Sequence, residues 1–138
     1  MERTFVIIKP DAVKKKLIGK IISIYEENHL DIVYMYKVLP TKEVLKKHYA
    51  ALEGKEFYDS VIGFMTSSEV VVLILEGENA VKIVREIHGA TNPLKAKPGS
   101  IRYMFGENIE ENAVHGAESI EEAKKEIEIW KELIKYTN

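Results

Sequence analysis

Two short stretches constrain this chain more than anything else in it. Thr4–Lys9 reads TFVIIK and Val70–Leu75 reads VVVLIL. A strand with one face in water alternates polar and apolar residues. A run of strand-formers without that alternation belongs to a strand buried in the middle of a sheet. Between and after the two runs the apolar period changes to that of helices. Leu17, Ile18, Ile21, Ile22 and Tyr25 share one stripe. Helical spacing also marks the region from Pro40-Thr41 to His48-Tyr49, a second from Glu56 to Met65, and a third from Asn79 to His88 that Gly89 stops. Ser119 with Glu122 forms a capping box that opens the last helix, where Ile120, Ala123, Ile127, Trp130 and Ile134 share a stripe and Glu126 lies on its flank.

Two further strands complete the pattern. Leu30–Leu39 alternates, with Ile32, Tyr34, Tyr36 and Val38 on one face, and Ala113–His115 is a short strand. Before it, Ala90 to Asn112 holds two prolines and two glycines and reads as a long irregular loop, a length often tied to function. Alternation of α and β elements predicts a two-layer α/β sandwich, ferredoxin-like if its core order is βαββαβ, with helices inserted between the second and third strands. No linker or repeat divides the chain, so residues 1–138 are expected to form one domain.

Composition excludes several classes of function. The formal net charge is −2, so no global basic field recruits nucleic acid or anionic lipid. No apolar run is long enough to span a membrane, and Lys9, Pro10 and Asp11 interrupt the N-terminal one before it resembles a signal peptide. There are no cysteines, hence no thiolate metal site or catalytic thiol. A cytoplasmic protein is expected. The charges are lopsided, with 17 Lys against 3 Arg. Where any cation serves, this sequence writes Lys, so Arg85 and Arg102 mark places that need a planar fork for an oxyanion. His29, His48 and His88 have no acid or base spaced to make them a metal site and are expected to be non-catalytic. His115, at the end of a strand and just before a helix, is open to three readings: nucleophile, base or structural residue.

Lys9-Pro10-Asp11, His48-Tyr49, Phe57, Arg85, Thr91-Asn92-Pro93, Arg102 and Asn112-x-x-His115-Gly116 stand in an order and at intervals that resemble those of the nucleoside diphosphate kinases, over essentially the whole chain. The resemblance implies a ferredoxin-like fold. It also implies Mg²⁺-dependent transfer of a γ-phosphoryl group from a nucleoside triphosphate to a histidine and then to a nucleoside diphosphate. By the same resemblance His115 is the phosphate acceptor and Glu126 orients it. Lys9 and Asn112 bind the ribose hydroxyls, Phe57 carries the base, and Tyr49, Arg85, Thr91 and Arg102 hold phosphate. No protein metal ligands are implied, since Mg²⁺ arrives on phosphates and water. The family forms homo-oligomers, with a hexamer favoured over a tetramer here by the length of the loop. Ala12, Ala117, Glu118 and Tyr103-Met104 depart from the family pattern of Gly, Ser, Asp and Gly-Asp. These departures motivate an alternative, a ferredoxin-like nucleotide-binding or regulatory module with weakened catalysis.

Overall fold

The computed structural model describes residues 1–137. The two apolar runs pair with each other: β1 (Glu2–Ile8) and β3 (Val70–Gly77) lie antiparallel at the centre of a four-stranded sheet. β2 (Asp31–Val38) flanks β3 and the three-residue β4 (Val114–Gly116) flanks β1, giving the order β2-β3-β1-β4 with every pair antiparallel.

Unbroken apolar strands demand cover on both faces, and they receive it. Val6, Ile8, Val71, Leu73 and Leu75 pack under α2 (Ile18–Glu27), α5 (Ala80–His88) and α6 (Ile101–Phe105). Their alternate neighbours Phe5, Ile7, Val72 and Ile74 pack under α3 (Lys42–His48), α4 (Tyr58–Met65) and α7 (Ile120–Ile134). The core order is βαββαβ, as expected. The inserted helices and α7 add a second helical layer to the sandwich of two layers that alternation alone pointed to. None of the described helices is long and apolar enough to cross a membrane.

Three local features differ from the reading of the sequence. A bulge at Val33 shifts the register, so that Ile32 pairs with Leu75 and Tyr34 with Ile74. Side chains alternate faces along a strand, so the extra residue sends Ile32 to one layer and Tyr34, Tyr36 and Val38 to the other. Pro10 does more than stop β1: it is the first residue of α1 (Pro10–Lys14), where its missing N–H costs nothing. Finally, the segment 90–112 is not wholly irregular. It holds a 3₁₀ turn at Pro93–Lys95 and α6, whose N-cap Ser100 accepts from the Tyr103 N–H.

Candidate active site

The carboxyl end of β1, the start of α4, the end of α5 and the segment 90–112 enclose a cleft of about 1010 Å³. Lys9, Tyr49, Phe57, Arg85, Thr91, Arg102, Asn112 and His115 all line it. Glu126 alone of the expected set stands behind the wall. It sits in the buried stripe of α7 with Ala123, Trp130 and Ile134, while Ile120, which the stripe was expected to include, is exposed.

His115 occupies the middle of β4, opposite Ile7. Its Nε2 lies 2.9 Å from Glu126 Oε1, and Nδ1 has no hydrogen-bond partner among the described residues. Burial lowers the imidazole to a pKa of about 3, with Lys9, Arg102 and Arg85 acting in the same direction. Burial raises the Glu126 carboxyl to about 7. The pair is therefore a neutral imidazole hydrogen-bonded to a carboxyl rather than an ion pair. When Glu126 is ionised it accepts the Nε2–H, and the lone pair is left on Nδ1.

His48 packs edge to face against His115, ring centroids 4.7 Å apart, although no spacing in the chain links them. With His115 and Glu126 it brings three possible metal-binding atoms within 4.8 Å of one another, contrary to the expectation that no acid or base accompanies it. Trp130 Nε1–H donates to His48 Nδ1 at 3.0 Å, however. A neutral imidazole that accepts at Nδ1 carries its proton on Nε2 and has no second lone pair to give a metal. The cluster thus suits a hydrogen-bonded brace behind His115. Mg²⁺, which prefers oxygen donors, does not suit a group of two imidazoles and one carboxylate.

Lys9 Nζ donates to Asn112 Oδ1 at 2.8 Å and to the Glu110 carbonyl at 3.3 Å. Asn112 Nδ2 in turn donates to the carbonyls of Thr91 and Ile109, each at 3.0 Å. A lysine at the end of a buried strand needs such partners; burial and the neighbouring Arg102 still lower its pKa to about 8. Arg102 donates from Nη1 to the Gly89 carbonyl at 2.9 Å and from Nη2 to the Val114 carbonyl at 2.8 Å, while its buried Nε has no partner among the described residues. Arg85, exposed in the last turn of α5, makes no ion pair among the described residues. Burial, then Glu126 and Glu110, raises the Tyr49 phenol, which stays a donor at neutral pH.

Two more residues belong to the cleft and carried no signal in the sequence. Ile109, 61% exposed, lines the opening together with the expected Phe57, which is 50% exposed. His88 is wholly buried below it, with Nε2 2.7 Å from the Tyr25 hydroxyl. It packs against Gly116 so closely that a Cβ there would come within 3.1 Å of its ring.

The family model described as nucleoside diphosphate kinase matches residues 2–133. The nucleoside diphosphate kinase of Nitratiruptor sp. is 53% identical over 127 residues, covering 92% of this chain and 93% of that one. That of Methanocaldococcus jannaschii is 46% identical over 129 residues, covering 94% and 92%. The crystal structure of the nucleoside diphosphate kinase from Encephalitozoon cuniculi superposes with a TM-score of 0.92 at 41% identity, covering 94% of this chain and 88% of that one. Sequence kinship along nearly the whole length and a shared ferredoxin-like fold converge on one assignment: the chain belongs to the nucleoside diphosphate kinase family of phosphotransferases.

Proposed function

We propose that this chain transfers the γ-phosphoryl group of a nucleoside triphosphate to His115 and from there to a nucleoside diphosphate, in a two-step ping-pong cycle run by the whole chain as one unit. The observation that carries this reading is the state of His115: neutral, its Nε2 held by Glu126, its Nδ1 free beside a cleft lined by Lys9, Arg85 and Arg102.

In the first step the Nδ1 lone pair attacks the γ-phosphorus. The bond to the β–γ bridging oxygen breaks, and the diphosphate leaves with that electron pair. The ring becomes cationic as the N–P bond forms, and the Glu126 carboxylate opposite Nε2–H stabilises it. A terminal oxygen of the second diphosphate then attacks phosphorus and returns the electron pair to Nδ1. Mg²⁺ bound to the nucleotide supplies charge neutralisation between the phosphates. Arg85 and Arg102 hold phosphate oxygens, Tyr49 and Thr91 donate directed hydrogen bonds, and Lys9 and Asn112 take the ribose hydroxyls.

The base lies between Phe57 and Ile109, two exposed apolar side chains with nothing in them to read a hydrogen-bond pattern. Broad base specificity follows. Phe57→Ala is expected to weaken binding of purine and pyrimidine diphosphates alike, by about 10-fold. Calorimetric titration with ADP, GDP and CDP checks this, and a loss confined to one base refutes it.

The protein works as a cytoplasmic homo-oligomer, a hexamer before a tetramer. Supporting self-association, the outer edge of β2 has no strand partner among the described residues and bears exposed Met35, while Leu94, Tyr103 and Met104 leave apolar surface along the segment 90–112. The deciding experiment is incubation with γ-labelled ATP and Mg²⁺, then mapping of the label. Acid-labile phosphate on His115, discharged by added diphosphate, is the expected result. Nucleotide binding without label would favour the regulatory module instead.

A further inference from the structure

We infer that Asp11 is a positioning residue that holds the chain at Ala113 in a strained turn and so sets the spacing between Asn112 and His115. This rests on the reading of Asn112 as ribose ligand and His115 as phosphate acceptor.

Ala113 has φ of 74° and is fully buried. That is the left-handed region, which a residue with a Cβ enters only when its surroundings over-determine it. The Val114 N–H donates to the Asn112 carbonyl at 2.9 Å, across one residue, so the three residues form a γ-turn of the rarer, strained hand. Both polar groups of Ala113 are gripped from one place. Its N–H donates to Asp11 Oδ2 at 3.0 Å, and its carbonyl accepts from the Lys9 N–H at 2.9 Å. A carboxylate and a backbone amide two residues apart therefore clamp the turn from the end of β1.

What lies on either side gives the turn its consequence. Asn112 on one side is bound to Lys9 Nζ. On the other, the Val114 carbonyl accepts from Arg102, and His115 follows. The turn is thus the joint between the ribose end and the phosphoryl end of the cleft. Without the clamp, alanine relaxes to negative φ, and Asn112 and His115 rotate out of register. Asp11 is an odd residue to bury for packing alone: only 5% exposed, it leaves Oδ1 without a partner among the described residues. Its carboxyl is raised above the usual range by burial, which its bond from Ala113 partly offsets. An apolar residue would fill the space without that cost, but would not hold the Ala113 N–H.

The test exploits the fact that glycine enters the left-handed region freely. Asp11→Ala is expected to lower the single-turnover rate of His115 phosphorylation by about 100-fold, the usual consequence of misplacing reacting groups by an ångström. Asp11→Asn, which keeps an oxygen to accept the Ala113 N–H, stays within about 10-fold of wild type. Ala113→Gly retains most of the rate and raises Tm by about 3 °C as strain is released. The double variant D11A/A113G recovers at least about 10-fold over D11A. Amide hydrogen exchange at Val114, whose N–H closes the turn, accelerates in D11A and slows again in the double variant, a readout independent of turnover. A folded D11A that phosphorylates at the wild-type rate, or a double variant no better than D11A in rate and exchange, overturns the inference. A wild-type protein that never labels His115 overturns the catalytic reading instead, and the exchange measurement then still decides the clamp.

Discussion

Arg102→Ala is expected to reduce kcat/KM by about 1000-fold and to destabilise the fold by about 3 to 5 kcal/mol, because the guanidinium is a structural tie and, in the proposed mechanism, also a phosphate ligand. Each charge-assisted bond to a backbone carbonyl contributes about 1.5 to 3 kcal/mol. Arg102 makes two, to Gly89 at the end of α5 and to Val114 at the start of β4. Gly89 is itself closely packed: its φ is 84°, and Ser100 occupies the space a side chain would need. Alanine leaves both carbonyls without their donor and frees the segment 90–112 from the strand that carries His115.

The conservative variant sharpens the point. Five donors sit on a guanidinium: two are spent on the backbone, the Nε–H is buried, and the two remaining Nη hydrogens are left for phosphate. Lysine, with one ammonium, cannot span both carbonyls and still reach phosphate, so Arg102→Lys is expected to lose about 100-fold. Arg85→Lys, at an exposed position with no structural bonds among the described residues, is expected to lose only about 10-fold, mostly in KM. Coupled assays with thermal melts distinguish the cases. An R102K protein of wild-type rate and Tm would remove the tie from the mechanism.

The uneven Lys and Arg usage had already singled out both arginines, but not their difference. Arg85 needs only to be on α5, which periodicity reveals, whereas Arg102 is defined by two carbonyls that meet it only in the folded chain. The same division runs through the fold. β1, β3 and the capped start of α7 were legible because local pattern decides them, and Ser119 does accept from the Glu122 N–H at 3.0 Å. The bulge at Val33 was not, since it places one residue between two otherwise regular halves of β2. At the site, motif order located eight residues lining the cleft and Glu126 behind it. His48 and His88 were named only as non-catalytic; their places at the site were not legible, because His48 bonds Trp130, 82 residues away, and His88 bonds Tyr25, 63 residues away. Ile109 looked like any apolar loop residue until Phe57 shared its opening. Long-range polar pairs leave no period in a sequence.

In the proposed mechanism the pH dependence of turnover is expected to belong to Glu126 rather than to His115. The imidazole of His115 is lowered to about 3 and does not titrate in the working range, while burial raises Glu126 to about 7. His115 is its one hydrogen-bond partner among the described residues, and Ala117, where the family pattern has serine, offers no hydroxyl nearby in the chain. As pH falls through about 7, Glu126 takes a proton, stops accepting from Nε2–H and no longer supports the cation formed during transfer. The rate is therefore expected to fall about 10-fold per unit below that point, and in Glu126→Gln to be flat at a level about 10- to 100-fold lower. Stability moves the other way. A carboxyl with a folded-state pKa above its unfolded value favours the protonated fold, so ionisation lowers stability as pH rises from about 4.5 to about 7. Glutamine is spared this, and E126Q is expected to be more stable than wild type by about 2 kcal/mol at pH 8, with no difference near pH 4. The buried neutral His115 contributes the opposite dependence, stability lost as pH falls below about 6.5, but it does so in both proteins and cancels from the comparison. An E126Q enzyme that keeps an acid limb near 7, or that melts below wild type at pH 8, would transfer the titration to another group. Slower yet more stable is the signature of a carboxylate kept buried for the chemistry it does on its neighbour.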